Sequence, residues 1–266
     1  MHTIVCMKQI IDPEVPPHLF EIDPEEMEQV RGTHPLVISA YDEVAIEIAL
    51  QLKEKTNGKV TVITIGDEDA VESLHQALAM GVDQAIRVTD SAFEDAGAFE
   101  RAQILAAAVR KVGDFDVALC GRQAGDVELG LTGPFLAEEL GLPCATIIAN
   151  IEPINGKVRM QRSVDIGYEV LEAPVPFVGT VTNDESNVPR YASVRGMLAA
   201  RRAEIPVWSA DDLGIDPSGL GLASAQIAID ELYIPERVVE CELIAGETGP
   251  ERATNLVDYL KKEKVI

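Results

Sequence analysis

The feature that most constrains this chain is a regular alternation of short strand-patterned runs with helix-patterned stretches through its first 150 or so residues. "HTIVCMKQI", "KVTVITIG", Gln84 to Val88, "FDVALCG" and "CATIIANI" read as buried strands. Between them, "SAYDEVAIEIALQLKEKTNG", "DEDAVESLHQALAMG", "AGAFERAQILAAAVRKVG" and "LTGPFLAEELG" read as helices. In the first helix Val44, Ile48 and Leu52 fall at helical spacing, Ser39 is the expected cap and Asn57-Gly58 the stop. Strands separated by crossover helices pair in parallel. The expected fold is therefore α/β: a Rossmann-like, doubly wound, mainly parallel sheet with helices on both faces. With 47% apolar residues, the chain has enough material for such a core.

Two regions depart from the alternation. The stretch "DPEVPPHLFEIDPEEMEQVRGTHP" is too broken by proline for a helix and reads as an excursion from the core. After residue 150, apolar and polar residues alternate around Asn155-Gly156 and Asp165-Ile166-Gly167, which predicts two hairpin turns. A Pro-entered loop and a short basic helix follow, ending before Pro206. "SADDLGIDPSGLGLASAQ" reads as loop, and "GPERATNLVDYLKKEKVI" as a closing helix. The expected division is an α/β nucleotide-binding domain over 1–205 and an extended C-terminal arm over 206–266.

A formal charge of −23 repels nucleic acid and anionic membrane, so neither is expected as a partner. It suits a soluble protein or one that attracts a basic partner. Cys6, Cys120, Cys144 and Cys241 lie far apart, without metal spacing. No apolar run is long enough to span a membrane, and Met1 to Met7 leads straight into a strand. The chain reads as cytoplasmic, reduced and not inserted in a membrane.

In doubly wound sheets, ligands sit beyond the carboxyl ends of the strands, at the switch point of strand order. Three loops leave those ends with polar or glycine character: after Lys8, at Gly66 and at Gly121. The last carries three glycines in the ten residues from Gly121 to Gly130 and runs into a helix near Thr132. Glycines let a backbone approach a ligand closely, and a helix start offers N–H groups to a phosphate. No GxxxxGK[ST] or GxGxxG occurs, so neither standard nucleotide fingerprint is present, and no HExxH or GxSxG suggests hydrolysis.

Several segments in order resemble the β subunit of electron transfer flavoprotein: "IVCMKQIID", "SAYDEVAIEIALQLKE", "ALAMGVD", "CGRQAGD" with a following "TG", and "VDIGYEVLEAPVPFVGTVTNDESNVPRYAS". The match covers residues 1 to about 205. It implies an adenine nucleotide α-hydrolase-like fold whose C-terminal arm packs on an α subunit. It also implies FAD shared with that subunit and an adenine nucleotide in the chain's own cleft.

Carried over by position, the cofactor residues are Cys6, Ser39, Ala40, Tyr41, Asp42, Ile65 and Gly66. The loop adds Gly121, Arg122, Gln123, Ala124, Gly125, Asp126, Val127, Glu128, Leu129, Gly130, Leu131 and Thr132. Tyr41 takes the position of an aromatic that flanks the flavin. Thr132 follows the pattern of members that bind AMP, whereas Gly133-Pro134 follows members that carry a second FAD reduced by NADH. AMP is the expected ligand, with a second FAD in the same site as the alternative.

Glu185, Ser186, Asn187, Val188, Pro189, Arg190 and Tyr191 match the loop that docks an acyl-CoA dehydrogenase-type partner. The apolar anchor of that loop is Ser186 here, and the acidic residue after Asn187 is Val188. Those changes put the usual docking in doubt, because a serine buries too little apolar area. Arg190, Arg195, Arg201 and Arg202 make the following helix basic and suit an acidic counterpart. The resemblance implies an electron carrier subunit rather than a catalyst by itself. A stand-alone adenine-nucleotide hydrolase or sensor is the alternative of a different class.

Overall fold

The computed structural model describes residues 1–220, 227, 229–235 and 241–266. It forms two compact units, Met1–Glu21 with Gln29–Asp230, and Ile22–Glu28 with Glu231–Ile266.

In chain order the strands are β1 (His2–Cys6), β2 (Gln9–Ile11), β3 (Ile22–Asp23), β4 (Glu28–Gln29), β5 (Leu36–Ile38), β6 (Lys59–Ile65) and β7 (Gln84–Val88). They continue as β8 (Val117–Gly121), β9 (Cys144–Ile154), β10 (Lys157–Val164), β11 (Gly167–Pro174), β12 (Phe177–Val181) and β13 (Val207–Trp208). The helices are α1 (Ala40–Thr56), α2 (Ala70–Met80), α3 (Ala98–Val112), α4 (Thr132–Leu140), α5 (Val194–Ala200), α6 (Ala210–Leu213) and α7 (Gly249–Lys262).

A nine-stranded sheet runs β11-β10-β9-β12-β8-β1-β6-β7-β13. Its centre is parallel: β1 pairs with β6 on one side and with β8 on the other. The chain winds outward from β1 through β6 to β7, then returns across β1 to build β8. The switch point of the sheet is therefore the gap between β1 and β8. This is the doubly wound α/β fold expected from the alternation.

Side chains of successive strand residues enter opposite cores. Val5, Val62, Leu119 and Phe177 pack under α1 and α2. Ile4, Ile63, Ala118 and Val178 pack with α3 and α4. Both faces being covered, the central strands read as nearly continuous apolar runs. Helix α1 is buried on most of its surface, from Val44 to Leu50 and at Leu52, so it shows little amphipathic bias. It ends as expected at Asn57, in the left-handed region with φ 51°.

Beyond α4 the sheet changes character. The first part of β9 runs parallel to β12, and its second part runs antiparallel to β10. Both expected hairpins are present, turning at Asn155-Gly156 (φ 45° and 76°) and before Gly167 (φ 120°). The register of β9 slips where it exchanges partners, and there Ile147 takes φ 58°. The proline-rich excursion supplies the small pair β3–β4 and is closed at its base by the flanking pair β2–β5.

After residue 205 the chain returns to the sheet edge as β13, parallel to β7. Ser209 and Asp212 then close a reciprocal capping box on α6. That turn of helix lies inside the stretch expected as loop, whose residues 221–226 are outside those described. In the second unit the closing helix α7 forms as expected, capped by Thr248 through Glu251 N–H. Residues 236–240 of the expected arm are outside those described.

Candidate nucleotide mouth at the sheet switch point

The carboxyl ends of β1 and β8, the start of α1 and the loop from Gly121 to Leu131 meet at the switch point. Asp42, in the first turn of α1, is 5% exposed. One of its carboxylate oxygens accepts the Lys8 N–H at 2.8 Å, and the other accepts the Gly121 N–H at 2.7 Å. One side chain thus ties together the ends of the two strands that flank the switch point.

The other contacts complete a ring. Ser39 N–H donates to the Lys8 carbonyl at 2.9 Å. The Ser39 hydroxyl accepts the Gly125 N–H at 3.3 Å. Lys8 Nζ meets Asp126 Oδ2 at 2.5 Å. Ser39 precedes α1, but its hydroxyl makes no cap bond to the helix; the expectation of a side-chain cap is corrected, because the loop from β8 takes that oxygen.

Gly121, Gly130 and Gly133 each have a cause within the chain itself. A Cβ at Gly121 would lie 2.6 Å from Asp42 Oδ1 and 2.8 Å from Tyr41 Cβ, so glycine there makes room for Asp42. Gly130 takes φ +66°, a left-handed conformation that favours glycine. A Cβ at Gly133 would lie 2.4 Å from Thr180 Cγ2, so glycine is demanded by packing against β12. The feature read as following the second-flavin pattern therefore has an internal cause.

Burial pushes the Asp42 carboxyl up to about 7, against the two N–H donors and the Lys8 charge, with the Asp126 charge adding to the rise. Tyr41 is half-buried, and the Arg122 guanidinium lies 5.0 Å from its ring centroid, a cation–π contact on the ring expected to flank a flavin. Arg122 Nε is buried and has no hydrogen-bond partner. An orphaned donor in a polar mouth at a helix entry fits an anionic or carbonyl-bearing ligand.

Loop residues Gln123 and Ala124 are half-buried; Asp126, Val127, Glu128 and Leu129 are exposed. Leu131 precedes α4 and Thr132 begins it, so the loop does deliver the chain to a helix start. Ile65 ends β6, the next strand beyond β1, and Gly66 follows it; Ala40 opens α1 at the surface. Cys6 is 5% exposed, and its thiol is directed into the α3–α4 core beside Cys120. The Cys120 thiol is held well above its usual range by its hydrogen bond with Cys6 and by burial. Lys8 was absent from the expected site. A lysine at the end of a strand looks like any solvated one until the fold brings Asp126 to it.

The segment from Glu185 to Tyr191 divides between interior and surface. Asn187 is 1% exposed and its amide donates to the Ala149 carbonyl. The Arg190 guanidinium donates to Glu47 at 2.8 and 2.9 Å and to Glu54 at 2.5 Å. Its charge, expected to face an acidic counterpart, is taken up by α1. Burial alone would raise the Glu47 carboxyl, but the donors from Arg190 and Gln51 bring it below its usual value. By contrast, Val188 is 73% exposed and Tyr191 99%. Glu185 and Ser186 are also exposed, and Pro189 is half-buried.

Taken together, the strand order and the polar ring define a doubly wound α/β protein whose switch point is closed by a network of polar contacts. The model of the electron transfer flavoprotein domain matches residues 29–213. The electron transfer flavoprotein subunit beta of Thermoanaerobacterium thermosaccharolyticum is 35% identical, with all of both chains covered. Subunit CarD of the caffeyl-CoA reductase–Etf complex of Acetobacterium woodii is 34% identical over the same full coverage. Protein FixA of Azorhizobium caulinodans is 32% identical over 94% of this chain and 91% of its own length. The chain belongs to the electron transfer flavoprotein family, on its β-subunit side, as the motifs indicated. Association with flavin and electron transport follows from the family. Among the described residues, no helix is long and apolar enough to cross a membrane.

Proposed function

We propose that this chain is the β subunit of a heterodimeric electron transfer flavoprotein, with FAD shared with an α subunit and AMP held in its own mouth. The observation that carries this reading is the ring of Lys8, Ser39, Asp42, Gly121, Gly125 and Asp126, which shapes a loop that ends on the first turn of α4. The N–H groups around Gly130 to Thr132 and the Thr132 hydroxyl would receive the phosphate, where the helix dipole favours negative charge. Arg122 would supply the remaining charge through its orphaned Nε.

The flavin, when bound, supplies the electron transfer. The work of this chain is to bind, position and present: Tyr41 and Arg122 meet in a cation–π contact beside the loop, and Val188 and Tyr191 offer the apolar part of a docking segment for a dehydrogenase. An acyl-CoA dehydrogenase type is the favoured partner class, reached through Val188 and Tyr191 rather than through residue 186.

A second FAD in the same mouth, reduced by NADH, is the second reading, supported by Gly133-Pro134, which follow the pattern of members that carry it. The internal reason for Gly133 weakens it. The test is to purify the chain with its co-expressed α partner, denature the complex and quantify adenylate and flavin. One FAD and one AMP per heterodimer is expected. Two flavins would support the second reading, and a colourless, purine-free monomer would overturn both.

A further inference from the structure

We propose that Glu100, a residue outside the expected site, binds the adenylate: its free carboxylate oxygen accepts a hydrogen bond from a ribose hydroxyl. The inference deepens the nucleotide reading and rests on it.

Glu100 lies in the first turn of α3 and is 2% exposed. Its Oε1 is buried and has no hydrogen-bond partner. A Cβ on Gly97 would lie 2.9 Å from the other oxygen, Oε2, so the glycine before α3 leaves room for this carboxylate. Arg101, the next residue, donates through Nε to the Ala96 carbonyl at 2.8 Å. The dipole of α3 favours a negative charge in its first turn, but it supplies no donor to Oε1. A buried acceptor left empty is costly, and the chain itself does not fill this one.

The position of Glu100 shows where the donor must come from. Glu100, Ile104 and Ala108 share one face of α3, and the last two are fully buried in one core with Ile63 of β6 and Val88 of β7. Helix side chains lean toward the N-terminus, so Glu100 is directed past the carboxyl ends of those strands. Ile65 ends β6 there, and Cys6 faces the same core from β1; both were expected at the cofactor. The starts of α3 and α4 stand side by side. Phe99 meets Phe135 edge-on, with ring centroids 5.5 Å apart, and these rings adjoin Glu100 and the turn that begins at Thr132.

The two helix starts differ in charge. The first turn of α4 has no acidic residue and suits a phosphate. The first turn of α3 carries Glu100, which repels phosphate and accepts a hydroxyl. In an adenylate the ribose adjoins the phosphate. A phosphate held at Thr132 therefore brings the ribose hydroxyls toward the neighbouring helix start, and a carboxylate is the group that doubly wound nucleotide sites use for such hydroxyls.

The experiment uses the full chain with its co-expressed partner, freed of nucleotide and titrated calorimetrically with AMP, 2′-deoxy-AMP and 3′-deoxy-AMP. Wild type should bind AMP about tenfold more tightly than at least one deoxy form, the size of a hydrogen bond to a charged group. Glu100→Met has similar length and no polar atom at its tip; it should bind AMP about tenfold more weakly and all three ligands alike. The unfolding midpoint of the nucleotide-free variant should not fall, because Oε1 has no partner within the chain to lose. A carboxylate serving the fold alone would give the reverse, a lower midpoint with the hydroxyl preference kept, and would overturn the proposal. Equal wild-type affinity for AMP and both deoxy forms would overturn it too. Should Glu100→Met not fold, the wild-type series decides together with Glu100→Gln, in which a neutral acceptor should cut the preference to about threefold. A wild-type complex that takes up no AMP would remove the nucleotide reading and this proposal with it, whereas AMP bound without regard to its hydroxyls removes this proposal alone.

Discussion

In the loop of residues 121–132 the motif residues bond to motif residues at the end of β1 and the start of α1, whereas in the segment of residues 185–191 they divide between interior and solvent. Gly121 makes room for Asp42, the Gly125 N–H donates to the Ser39 hydroxyl, and Asp126 pairs with Lys8. The loop is a frame whose parts account for each other. In the second segment Asn187 and Arg190 fasten the chain to β9 and α1, and this leaves Val188 and Tyr191 standing out. The difference teaches that a motif can mark the scaffold of a site rather than its contacts. The residues that address a partner then lie between the motif positions.

The comparison breaks most visibly at Arg190. Arg190→Ala leaves Glu47 almost buried without its main partner, and an uncompensated buried charge costs about 3 kcal/mol. Urea denaturation at pH 7 should show that loss; a change below about 0.5 kcal/mol would mean the pair is not structural. Because Glu47 is held below its usual 4.5, its contribution is present at neutral pH and is lost as pH falls through and below that value. The acid limb of the wild-type stability curve should accordingly be steeper than that of the variant.

A smaller effect is expected at Gly121. Gly121→Ala forces Asp42 and Tyr41 aside and should destabilise by about 1–3 kcal/mol, read from the same denaturation curves. If the glycine had instead served ligand approach alone, nucleotide content would fall with stability unchanged.

The smallest effect on stability belongs to the protruding residues. Val188→Ser and Tyr191→Ala should each leave stability within about 0.5 kcal/mol of wild type. Association with an electron-donating dehydrogenase, measured by steady-state electron transfer, should weaken. A large loss of stability with unchanged association would reverse the assignment of scaffold and contact within this segment.

Much of the architecture was legible in the residue order. Runs such as "KVTVITIG" have one reading when helix-patterned stretches flank them, since only a parallel sheet accommodates that order. Asn155-Gly156 announced its hairpin because few residues accept positive φ. The partner exchange within β9 was not legible. Its residues from Cys144 to Ile151 read as one strand, and only the approach of β10 decides where parallel pairing stops. The strand Val207–Trp208 was hidden likewise, being too short to carry a period.

The candidate site divides the same way. Local chemistry determined that glycines, a helix start and strand ends would gather at the mouth, because backbone conformation and chain direction are properties of neighbouring residues. Tertiary structure alone decided that Asp42 serves Lys8 and Gly121, 34 and 79 residues away along the chain. It alone decided that Gly133 yields to Thr180 and that Arg190 belongs to Glu47. Those partners lie far apart in the sequence, and hydrogen bonds and close packing act only at contact distance. Which pairs meet is fixed when the strands take their order in the sheet.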